Sequence, residues 1–135
     1  MIYDSDCGFC RWSLALLLSW DRGGSVPAAL RPLPLGIEEA DRLLADLTED
    51  ERNASWHLVL DGQRFSAGAA LAPALRLLPG GRIPAALFAR FPATTERAYR
   101  WVAAHRSTFG RFVPARARRW ADRVIAAHGG PPPPQ

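Results

Sequence analysis

The 135-residue sequence predicts an α/β fold: a small mixed sheet in the order β-α-β-α-β-β-α, with additional C-terminal helices. Three observations predict it. A short apolar segment, "MIYD", runs into acids and a glycine, and a helical pattern starts at once. A β-rich run, "WHLVL", meets Asp61-Gly62 and returns as "QRFS". Beyond that hairpin only helical patterns remain.

Taken in order, residues 1–4 are the first strand and Phe9 to about Trp20 the first helix. Trp12, Leu16 and Trp20 form one apolar stripe of that helix, with Leu17 beside it. "DRGG" at 21–24 stops the helix with glycines. "AALRPL" at 28–33 is the second strand, kept short or at an edge by Pro27, Pro32 and Pro34. "IEEADRLLADL" at 37–47 reads as an amphipathic helix with acids in its first turn. The hairpin spans 55–68, and "AGAALAPALRLLPG" at 67–80 is a helix that packs on it and ends at Pro79. Helical patterns then follow with breaks at Pro84, Pro92 and Pro114. The longest covers 94–106, with Thr94 as its cap and Tyr99 and Val102 on one face. Residues 1–128 are expected to be one domain, and the "GGPPPPQ" tail at 129–135 a disordered stub.

Composition narrows the function. Hydrophobic residues make up 48% of the chain, enough for a core that needs no disulfide scaffold. The longest apolar run, "LALLL" at 14–18, is far short of the roughly 20 residues that cross a bilayer. No charged segment with a small-residue cleavage site opens the chain, so the expectation is a soluble cytoplasmic protein. The net charge of +4 comes wholly from arginine, since the chain has no lysine. Arg111, Arg116, Arg118 and Arg119 are the densest basic stretch. They read as a solvated helix face rather than a nucleic-acid surface.

Chemistry concentrates in "YDSDCGFC". Cys7 and Cys10 are the only cysteines and stand three apart at a strand-to-helix junction, where both sulfurs reach one face. The unpaired N–H groups and dipole of a helix N-terminus favour a thiolate on the first cysteine. Thiol–disulfide exchange uses that arrangement, with Cys7 attacking and a more buried Cys10 resolving. Gly8 frees the turn and lets a substrate approach. Asp6 is either the helix N-cap or a charge that opposes the thiolate, and Asp4 adds a second carboxylate.

Two other readings use the same residues. A metal site made from both sulfurs and Asp4 or Asp6 lacks the usual four ligands and mixes hard with soft donors. His57, His105 and His128 are scattered and add no ligand pair, so neither a metal nor a cofactor is expected. "IYDSD" also resembles the D-x-D nucleophile of the haloacid dehalogenase superfamily. That chemistry requires a downstream basic residue, usually lysine, and a later acidic pair; the sequence has no lysine and no Asp-Asp or Asp-x-x-x-Asp pair behind a plausible strand.

The element order, with its cysteine pair at the first strand-to-helix junction, is that of a thioredoxin-like fold. "YDSDCGFC" further resembles the opening of the DCC family of predicted thiol-disulfide oxidoreductases (the domain of unknown function 393 family), with Asp4, Asp6, Cys7 and Cys10 in the matching places. "HLVLDGQRFSAGAALAPALRLLPG" is similar to that family's hairpin and helix, and "AYRWVAAHR" to its late helical segment, at Tyr99 and Arg106. The resemblance spans most of 1–110. It implies thiol-disulfide exchange at Cys7 and Cys10, with Asp4 and Asp6 beside them and a disulfide- or thiol-bearing substrate, a protein or a small molecule. Gly8, Phe9, Ser55 and Trp56 are the candidates for binding such a substrate. The alternative is a non-catalytic module of the same fold that holds a metal ion or a protein partner through the Asp/Cys cluster. One departure stands out: "NASWH" at 53–57, where thioredoxins carry a cis-proline opposite the cysteines, has no proline. Tyr99 and Arg106, seven apart, are expected to share a helix face and pack on the sheet.

Overall fold

A computed structural model describes residues 1–21 and 29–131. Four strands form one mixed sheet: β1 (Ile2–Tyr3), β2 (Leu33–Pro34), β3 (His57–Leu60) and β4 (Gln63–Ser66), in the order β2-β1-β3-β4. β1 runs parallel to β2, with Ile2 opposite Leu33, and antiparallel to β3, with Ile2 opposite His57. This topology is compatible with a thioredoxin-like fold carrying extra C-terminal helices. The second strand is shorter and later than "AALRPL" suggested, and part of that stretch lies outside the described residues. Pro34 is accommodated because β2 is an edge.

The hairpin follows its turn chemistry. Asp61 and Gly62 both take positive φ, 50° and 75°, as a two-residue type I′ turn requires. The strands pair from His57–Ser66 to Leu60–Gln63. A 3-10 turn at Ala67–Ala70 then leads into α4 (Leu71–Arg76), so the segment expected as one helix is two short pieces.

The first helix, α1 (Gly8–Asp21), starts one residue early, and its stop signal at 22–24 lies outside the described residues. Its buried face is Leu14, Ala15, Leu18 and Asp21, not the Trp12–Leu16–Trp20 stripe. Leu16 and Trp20 are about two-fifths exposed, at 44% and 40%. Trp20 stays at the rim because its indole N–H donates to the Pro79 carbonyl at 2.9 Å. Asp21 is fully buried, and its carboxylate accepts the backbone N–H groups of Ala29 (3.2 Å) and Leu30 (2.8 Å).

Ile2 and Tyr3, adjacent on β1, point to opposite faces of the sheet. Ile2 packs with Leu33, Ala40 and Leu44, and so carries α2 (Glu38–Leu43) on that side. Tyr3 and Leu58 pack with residues of α1, of α4, of α5 (Arg82–Arg90) and of α8 (Ala115–Ala127). The helix expected over 37–47 ends at Leu43. A separate α3 (Glu49–Ala54) follows, started by a capping box between Thr48 and Glu51.

The prolines act as starts more than as breaks. Pro84 sits in the first turn of α5, where its missing N–H costs nothing, and Pro92 opens α6 (Pro92–Ala104). Thr94 is therefore inside α6 rather than its cap. The chain turns at His105 before α7 (Arg106–Phe112), so Tyr99 and Arg106 sit on different helices. No helix among the described residues is long and apolar enough to cross a membrane.

Candidate active site

The loop from β1 to α1 is organised by Asp4, not Asp6. Asp4 Oδ1 accepts the N–H of Asp6 at 2.9 Å and of Cys7 at 3.2 Å, which folds the loop back and delivers Cys7 to the helix start. The Cys7 carbonyl accepts from Arg11 N–H at 3.0 Å, the first bond of the helix, so Cys7 itself is the N-cap. Its Sγ accepts the N–H of Cys10 at 3.2 Å, the place an N-cap oxygen takes in other helices. Cys7 and Cys10 are joined as a disulfide with Cα atoms 5.2 Å apart. Asp6 is exposed and does not cap the helix, which is one of the two roles expected of it, because Cys7 takes that place. A carboxylate oxygen of Asp4 and the two sulfurs lie within 4.8 Å of one another.

Beside Cys10 opens a cavity of about 170 Å³. Asp4, Phe9, Ser55 and Trp56 line it with Cys10, whereas Cys7, Asp6 and Gly8 do not. A Cβ on Gly8 would meet only Arg118 Cδ at 3.8 Å, an ordinary contact, so no close approach requires glycine there. Phe9 is braced from both sides, 6.1 Å from Trp12 and 5.3 Å from Phe109 between ring centres.

Tyr99 and Arg106 also line this cavity, a placement the sequence reading missed in favour of plain packing on the sheet. Tyr99 Oη accepts the N–H of Trp56 at 3.2 Å. Burial pushes the Tyr99 hydroxyl above its ordinary pKa, so it keeps its proton at neutral pH. Arg106 Nη1 donates to the Asn53 carbonyl at 3.0 Å and lies 3.9 Å from Asp4 Oδ2. One arginine thus ties the end of α3 to the loop that holds the cysteines. Their signal in the sequence was the similarity of "AYRWVAAHR" to the DCC family's late segment; spacing alone could not show a turn at His105.

A family model described as DCC1-like thiol-disulfide oxidoreductase matches residues 1–112. The chain belongs to that family. Comparison with curated proteins gave no match, and comparison with solved structures gave none. The match carries the opening motif, the hairpin and both α6 and α7, which are the elements that surround the cavity. In this DCC1-like chain α8 lies beyond the matched region, yet it packs on α1 through Ala121, Val124 and Ile125, and Arg11 forms an ion pair with Asp122.

Among the described residues, Asp4, Cys7 and Cys10 are the one cluster that offers three ligands to a metal ion. Two thiolates and a carboxylate fall one short of a closed structural zinc set, and the sulfurs are free to ligate only when reduced. Of the predicted site residues, the structure therefore gathers Asp4, Cys7, Cys10, Phe9, Ser55 and Trp56, and leaves Asp6 and Gly8 at the periphery.

Proposed function

We propose that this DCC1-like chain is a thiol-disulfide oxidoreductase in which Cys7 attacks and Cys10 resolves. The observation that carries the reading is the seat of Cys7: it caps α1, and its Sγ faces the N–H of Cys10 at 3.2 Å. A thiolate there gains a hydrogen bond and the positive end of the helix dipole. In the reduced protein Cys7 Sγ attacks one sulfur of a substrate disulfide, and the other sulfur leaves as a thiol. Cys10 Sγ then attacks Cys7 Sγ, the second substrate thiol leaves, and the pair ends as the disulfide described above. Two electrons pass to the substrate, and the pair's two protons end on the product thiols.

The catalytic set is Cys7 and Cys10, with Asp4 fixing the loop and supplying a carboxylate near both sulfurs. Asp6, exposed, modulates the local charge at most. The substrate is a thiol or disulfide. The same cluster supports a second reading, a module that holds a metal through Asp4 and both thiolates, and metal analysis of the reduced protein separates the two.

Cysteine substitution tests the roles. Cys10→Ser should accumulate a mixed disulfide through Cys7 when mixed with a disulfide reagent, and Cys7→Ser should not. Alkylation of the reduced protein, mapped by mass spectrometry, should label Cys7 first. A mixed disulfide that builds up on Cys10 in Cys7→Ser, and not on Cys7, would reverse the assignment.

A further inference from the structure

The cavity beside Cys10 takes no part in the exchange step as written, yet one of the two reacting cysteines, Cys10, lines it. Size limits its guest. An apolar cavity of about 150 Å³ holds a benzene-sized molecule, whereas sites for drug-sized ligands run to about 300–1,000 Å³. At about 170 Å³, this one has room for a single ring and none for a nucleotide cofactor. Met1, Leu14, Leu17, Trp56, Leu71 and Ala103 give it apolar walls.

The backbone facing the cavity limits the guest further. An extended polypeptide would dock by adding hydrogen bonds to this segment. Trp56 has no free donor, because its N–H is held by Tyr99 Oη (3.2 Å), and its carbonyl already accepts from Ala67 N–H (3.2 Å). The missing proline at 53–57 fits the same picture, since Tyr99 occupies the backbone that a substrate chain would use.

We infer that the cavity is a subsite that selects small disulfides bearing one aryl-sized apolar group, in preference to extended polypeptide. The inference rests on the exchange reading above. The ring enters the cavity against Cys10, and its sulfur is carried to the pair. Cys7 Sγ bonds to that sulfur and the guest S–S bond breaks, releasing the other arm as a thiol. Cys10 Sγ then displaces the aryl thiol and closes the Cys7–Cys10 disulfide. A dithiol reductant returns the pair to the reduced state.

The test uses the pre-reduced full chain in single turnover. Its rate with benzyl 2-hydroxyethyl disulfide is compared with that for bis(2-hydroxyethyl) disulfide, each divided by the rate of the same reagent with free glutathione. Burying one ring should favour the benzyl reagent by about tenfold. Ala103→Leu, at a half-buried position on the cavity wall, should bring that ratio close to one. Benzyl methyl sulfide, which has no bond to exchange, should shift the Trp56 indole resonance in the disulfide form. Equal corrected rates, an undiminished ratio in Ala103→Leu, or no shift at Trp56 would each overturn the selectivity and leave the redox reading standing. Failure to exchange with either disulfide would overturn both.

Discussion

Asp4 and Asp6 are two residues apart and carry the same charge, but only Asp4 faces the sulfurs. Asp4→Asn keeps an oxygen for the N–H groups of Asp6 and Cys7 while removing a charge near the thiols. Alkylation of reduced Cys7 at pH 7 should therefore speed up a few-fold in Asp4→Asn and change little in Asp6→Asn. Equal effects from both would mean that the loop is not held as described. His57 makes a second prediction. It is buried, with Nε2 donating to the Arg52 carbonyl (3.1 Å) and Nδ1 accepting from the Ser66 hydroxyl (2.8 Å). Burial, the dominant cause, lowers its pKa below the ordinary value. The unfolded chain thus takes up this proton first as pH falls. The contribution is complete above the unfolded value of about 6.5, declines as pH drops towards the folded pKa, and is level below it. Urea denaturation across that window should show the decline, and His57→Gln should flatten it.

The helices α6 and α7 turn a surface beside the sheet into a walled site. Tyr99 holds Trp56, and Arg106 holds Asn53. Tyr99→Phe leaves the Trp56 N–H without its partner and should cost about 1–2 kcal/mol, read by denaturant midpoint, with faster hydrogen exchange confined to residues around Trp56. At this scale the sequence was legible wherever chemistry is local. Asp61-Gly62 dictated the hairpin, and a cysteine pair behind a short strand marked the start of α1. Thr48 and Glu51 spelled a capping box that went unread, and α3 was missed with it. The buried face of α1 was not legible in the same way. Leu14, Ala15 and Leu18 face α8 and the sheet, a choice made by partners distant in the chain, while Trp12, Leu16 and Trp20 offer an equally periodic stripe. Tyr99 and Arg106 needed the turn at His105 before their proximity to Asp4 and Cys10 had meaning. Asp4 and Asp6 are alike in type, and only the path of the loop separates them.

Across the whole molecule, α1 joins the chemistry to the core. Its N-cap and first turn carry the cysteines, its middle packs under α8, and its last residue, Asp21, secures the backbone at Ala29 and Leu30. Asp21→Ala leaves the buried Leu30 N–H without its acceptor and frees the Ala29 N–H, and should cost about 1–3 kcal/mol in global stability. Residues through 128 are expected to unfold as one unit, although the family match ends at 112. Ile125→Ala should then lower the single transition of the whole chain by about 2–4 kcal/mol. A separate early transition for α8 would contradict that expectation. The claim on which everything else rests is that Cys7 and Cys10 cycle between dithiol and disulfide. The most direct measurement equilibrates the protein in graded thiol–disulfide buffers, traps free thiols by alkylation and counts them by mass. The account predicts a reversible two-electron titration of this one pair, with a midpoint between about −270 and −120 mV, where exchange enzymes work. A pair that stays oxidised to below about −300 mV, as structural disulfides do, would contradict it.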